Sequence, residues 1–94
     1  MQIIQADVPT KNGDLYLKQL CKHWAHRLDV TLMGSRGRII MPSGAVVELE
    51  AGPDNLSIKI TASESAVAVE TGEVVVDHLE RFAFREKPLS VSWR

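Results

Sequence analysis

Four short β-branched or apolar runs, separated by glycine- and proline-bearing turns, commit the middle of this chain to an antiparallel meander. Val30 to Met33 and Arg38 to Met41 flank Gly34-Ser35-Arg36-Gly37, which reads as a hairpin turn. Pro42-Ser43-Gly44 then precedes Ala45 to Ala51, and Gly52-Pro53-Asp54-Asn55 precedes Leu56 to Ala62. Along the last run Leu56, Ile58, Ile60 and Ala62 alternate with Ser57, Lys59 and Thr61, so one face is buried and the other meets water or a partner. Glu48 and Glu50 share that polar face and read as an acidic edge on a surface of mixed charge.

Two further strands and two helices surround the meander. Ile4, Ala6 and Val8 alternate within Gln2 to Val8, and Leu89, Val91 and Trp93 alternate with Ser90 and Ser92 after Pro88. Leu17, Leu20, Cys21, Trp24 and Leu28 recur at helical spacing and predict a helix from Leu15 to Leu28, with Asn12 or Asp14 as its cap. Ala68, Val75, Leu79 and Phe82 predict a second helix, capped by Ser63 or Ser65, which Thr71-Gly72 divides into two pieces. The expected fold is therefore α+β and two-layered. An antiparallel sheet of five to six strands carries both helices on one face, in the order β-α-β-β-β-β-α-β.

Residues 1–94 suit a single domain with one core. Eleven Lys and Arg against twelve Asp and Glu give a net charge of -1, which supplies no field to draw the chain onto nucleic acid or anionic lipid. The opening residues lack a secretory pattern and no apolar run reaches membrane-spanning length. Cys21 has no internal disulfide partner. The expectation is a cytoplasmic protein.

Tyr16-Leu17-Lys18-Gln19-Leu20-Cys21-Lys22-His23-Trp24-Ala25-His26 and His78-Leu79-Glu80-Arg81-Phe82-Ala83-Phe84-Arg85-Glu86 closely resemble the signature segments of a bacterial family known as domain of unknown function 2218. Gly37-Arg38-Ile39 and Val91-Ser92-Trp93 extend the likeness over nearly the whole chain. The resemblance implies a small stand-alone bacterial domain, in some cases associated with siderophore-interacting flavin reductases. It also implies a sheet-and-two-helix fold like half of the TATA-binding protein; the Thr71-Gly72 break reads as a departure of this chain from relatives, in which a more continuous helix is expected. It implies no reaction and no functional residues.

Candidate chemistry is sparse. Cys21, His23, His26 and His78 are ligand types for borderline metals, yet on one helix Cys21 and His26 fall too far around the cylinder to share an ion. A pair formed by His23 and His26 is the feasible remainder, and the plainer account makes Cys21 a core residue and the histidines boundary groups, so no metal is expected. The apolar setting of Cys21 also predicts an inert thiol, and no nucleophile elbow or phosphate loop is present. No cofactor is implied.

His78, Arg81 and Arg85 follow one edge of the second helix, and Tyr16, His23 and Arg27 follow one edge of the first. Facing one another, His23, His78, Arg81 and Arg85 would suit a small anionic ligand, with guanidinium forks for carboxylate or phosphate. The competing account pairs the arginines with Asp77, Glu80 and Glu86. Trp24, Phe82 and Trp93 read as core, whereas Phe84 falls off the apolar stripe and is the candidate interface residue. The expected function is thus a non-catalytic binding or interaction module, with a ligand-binding or enzymatic His/Arg groove as the alternative. An unidentified protein, a second copy of the chain or a small anion are the partners considered. A membrane is excluded, and nucleic acid is disfavoured by the balanced charge.

Overall fold

The meander closes into a larger sheet because the first strand returns beside the last one. The computed structural model describes residues Met1–Arg94. Its elements are β1 (Gln2–Pro9), α1 (Gly13–Trp24), β2 (Asp29–Met33), β3 (Arg36–Ile40), β4 (Val46–Ala51), β5 (Asn55–Ala62) and α2 (Ser65–Phe82). The sheet has five strands in the order β1-β5-β4-β3-β2, every neighbouring pair antiparallel. Both helices pack on the face that buries Val8, Ile39, Val47, Leu49, Leu56, Ile58 and Ile60. The expected two-layer α+β fold is observed.

The register builds polar rows across the uncovered face. Gln5, Lys59, Glu48, Arg38 and Thr31 stand opposite one another along one row, and Asp7, Ser57, Glu50, Arg36 and Met33 along the next. The hairpin between β2 and β3 is tighter than the sequence predicts. Met33 pairs directly with Arg36, so only Gly34 and Ser35 form the loop. Gly34 has φ +58°, which a non-glycine residue rarely adopts.

Where α1 crosses β3 at Gly37, no side chain intervenes. A Cβ on Gly37 would lie 2.7 Å from Cys21 Sγ and 2.8 Å from Leu17 Cδ1, so glycine is what lets the helix sit this close. The helix ends at Trp24 rather than Leu28, and in the turn that leads to β2 the Trp24 carbonyl accepts from both Arg27 N (3.1 Å) and Leu28 N (2.9 Å). His26 and Arg27 therefore lie beyond the helix. Leu28 still packs against the core from that turn.

The second helix runs unbroken from Ser65 to Phe82, correcting the division expected at Thr71-Gly72. Thr71 Oγ1 donates to the Val67 carbonyl at 2.7 Å, which meets the hydroxyl's hydrogen-bonding need within the helix. Gly72 leaves room for an indole, since a Cβ there would approach Trp93 Cζ2 to 3.0 Å. Neither Ser63 nor Ser65 caps this helix; Glu64 occupies the cap position without a side-chain bond, as Asn12 does for α1.

The final strand expected after Pro88 is reduced to one bridge. Gln5 N donates to Arg94 O and Arg94 N to Gln5 O, both at 2.9 Å, along the outer edge of β1. Leu89 N is diverted to Glu80 Oε2 at 2.9 Å, so the backbone before Arg94 does not continue the ladder. The alternation survives nonetheless, with Leu89 buried, Val91 and Trp93 half-buried, and Ser90 and Ser92 exposed.

Gly37→Ala is expected to destabilise the protein by about 1–3 kcal/mol through overpacking. Combining it with Cys21→Ala should cost less than the sum of the two single changes, because the Sγ contact is gone. Urea unfolding of the four members of this cycle measures the coupling, and strict additivity would refute the close approach.

Candidate functional site

The helices meet at an aromatic and histidine-rich cleft. His23 and Trp24 in the last turn of α1, His26 and Arg27 in the turn beyond, and His78 in α2 line a cavity of about 390 Å³. The His23 and His78 ring centroids are 5.4 Å apart, Trp24 and His78 are 4.9 Å apart, and His23 and Phe82 are 6.0 Å apart. His78 Nδ1 lies 2.8 Å from the Val74 carbonyl. A carbonyl only accepts, so Nδ1 carries the hydrogen and Nε2 is the nitrogen left open.

This arrangement brings together His23 and His78 but not the arginines grouped with them in the sequence. Arg81 Nη2 pairs with Asp77 Oδ2 at 2.8 Å on the exposed side of α2. Such a pair is worth little to stability, but it engages the guanidinium. Arg85 lies over the ring of its neighbour Phe84, 5.6 Å from the centroid. Of the first helix's edge, Tyr16 is buried and Arg27 reaches the cleft from outside the helix. Phe84, the residue singled out as an interface candidate, is 67% exposed.

Cys21 is buried in the core, and burial pushes its thiol pKa up, which disfavours the thiolate that nucleophilic chemistry needs. The register interleaves the acidic edge expected of Glu48 and Glu50 with cations. Glu50 Oε2 is 3.0 Å from Arg36 Nε, and Glu48 stands between Arg38 and Lys59. Together with Gln5, Asp7 and Arg94 these residues border an open hollow of about 790 Å³ on the sheet.

A polar knot that the sequence reading missed ties the segment after α2 to the start of α1. Glu86 accepts from Thr10 Oγ1 (2.9 Å to Oε1), from Asn12 Nδ2 (3.1 Å to Oε2) and from the Tyr16 hydroxyl. Thr10 Oγ1 in turn accepts from Asn12 N at 3.1 Å, so the loop before α1 is shaped to present these donors. Local turn chemistry at Thr10 and Asn12 is legible in sequence; the distant carboxylate that completes it is not. The Tyr16 and Asn12 bonds hold the Glu86 carboxyl below the usual range, while burial and then Glu86 push the Tyr16 hydroxyl above 10.0. No buried side-chain nitrogen or oxygen in the chain lacks a partner.

The sheet, its helical cover and these surfaces define a small two-layer α+β domain, with no helix long and apolar enough to cross a membrane. The chain belongs to the family described as uncharacterized protein conserved in bacteria (DUF2218), whose family pattern matches residues 5–94. It is similar to PA4090 from Pseudomonas aeruginosa, whose NMR structure shares the fold with a TM-score of 0.85 and 31% identity, covering 100% of this chain and 96% of that one. No curated protein matches the chain.

The knot sets a pH dependence. Glu86 is easier to protonate when unfolded, so its contribution is present above the ordinary 4.5 and is lost as pH falls through the lower folded value. Asp7, held down by Ser57 and Arg94, and Asp14, held down by Lys18, act in the same direction. Tyr16 works in the opposite sense, stabilising below 10.0 and ceasing to as pH rises through its raised folded value. Glu86→Gln should lower the melting temperature at neutral pH and flatten the acid limb of a melting-temperature profile. Tyr16→Phe should cost about 1 kcal/mol at neutral pH. An unchanged acid limb in Glu86→Gln would contradict the assignment.

Proposed function

We propose that this protein is a non-catalytic binding module that presents the open face of its sheet to a partner protein. The observation carrying this reading is the row Lys59, Glu48, Arg38: three side chains of alternating sign, on three adjacent strands, with no hydrogen bond or ion pair to fix their heads. Around them, Arg36 is held by Glu50 and Asp7 by Ser57 and Arg94, so an ordered border surrounds groups free to engage. A partner whose charges alternate in the opposite order matches the row and is steered to it. Phe84 offers a second, apolar contact point.

Nucleic acid has no part in this reading, because phosphates on the same face would meet Glu48, Glu50 and Asp7. The setting we propose is a bacterial iron-related pathway, a reading supported only by the association that the family resemblance implies for some members with siderophore-interacting flavin reductases. A single buried thiol suits the reducing cytoplasm. A second reading places a small anionic ligand in the helix-side cleft, favoured by Arg27 and the imidazoles that line it.

Affinity capture from native bacterial extract, with the full chain as bait, is expected to recover a specific partner. Arg38→Glu should abolish the capture and Phe84→Ala should weaken it, each with the melt preserved. Recovery of no partner across several extracts, or retention by Arg38→Glu, would count decisively against the sheet face.

A further inference from the structure

The geometry points to His23 and His78 as a two-imidazole site for a divalent transition metal of the zinc or nickel type. Each ligating nitrogen sits about 2.0–2.1 Å from such an ion, which places a ring centroid about 3.2 Å away. Two rings on one tetrahedral ion are therefore about 5.2 Å apart between centroids. The His23 and His78 rings are 5.4 Å apart, on different helices, and line the same cavity.

The second ring nitrogen of His78 supports the same conclusion. Its Nδ1 hydrogen is committed to the Val74 carbonyl at 2.8 Å, which fixes the tautomer and leaves Nε2 as the open nitrogen. Metal-binding histidines are oriented by a carbonyl or carboxylate in this way. The cavity also lies at the C-terminal end of α1, where the negative end of the helix dipole attracts a cation. Arg27 opposes a cation there, and its exposed guanidinium can turn toward water. His26 also lines the cavity, but no three His, Cys, Asp or Glu side chains are placed to hold one ion together, so the protein would supply two ligands and water the other positions. The site is independent of the sheet face and stands or falls separately from the partner reading.

Titration of the full chain with zinc chloride or nickel chloride tests it, followed by thermal melts and by NMR. The expected result is a melting temperature that rises with metal concentration, and resonance changes centred on His23, His78 and Trp24. His23→Gln and His78→Gln should each weaken binding by at least about tenfold, the least expected when a directly ligating group is lost. His26→Gln should retain binding, and Arg27→Gln should retain or tighten it. Circular dichroism confirms that each variant is folded; should His78→Gln fail, the exposed His23→Gln carries the test. Absence of any shift overturns the site, as does binding that depends on His26 instead of His78. Inorganic phosphate or citrate that shifts the same resonances in the absence of metal, and loses that effect in Arg27→Gln, overturns it in favour of an anion.

Discussion

How closely α1 lies on β3 determines much else in this fold. With hydrogen at Gly37 where any other residue has a carbon, Cys21 and Leu17 rest against the strand itself. That seat fixes the height and direction of the helix, and its two ends then meet their partners. Tyr16 in the first half reaches Glu86, and Trp24 at the far end reaches His78. A helix lifted by the width of a methyl group would disturb both meetings. The packing at Gly37 is a structural requirement that also holds the candidate site together.

Much of this architecture was legible because it is periodic. Leu56, Ile58, Ile60 and Ala62 mark a strand buried on one face, and the turns around the meander announce themselves through glycine and proline. The misreadings fall where a local rule met a distant partner. Thr71-Gly72 looks like a helix breaker by propensity, yet Gly72 is small because Trp93, far along the chain, covers it. Leu89 to Trp93 alternate as a strand should, but Glu80 takes the Leu89 amide and only Arg94 reaches the sheet. A continuous helix is the family's expected pattern here, and this chain, read from its local sequence as departing from that pattern, does not depart from it.

The site was legible only in part, for a related reason. Helical spacing groups residues along one helix, so it joined His78 to Arg81 and Arg85, whereas the cleft gathers residues from α1, the turn after it and α2. His23 and His78 were identifiable as residue types, but their meeting depends on the crossing of the helices. Asp77 and Phe84 lay close in sequence to Arg81 and Arg85, and those local contacts are the ones that formed. Local spacing offers Glu86 as a partner for the arginines, whereas three donors from the far end of the chain hold it.

The bridge between Gln5 and Arg94 has a topological consequence. It places the backbone near residue 5 beside the backbone at residue 94, so the described chain nearly closes on itself. A ring of this kind can be opened elsewhere without changing which elements are neighbours. The exposed Gly34-Ser35 loop is such a place, where a cut removes one hairpin connection and leaves the paired strands and both helices in position. Circular permutants with new ends there, and a short linker joining the old ones, would carry the same sheet in a different chain order.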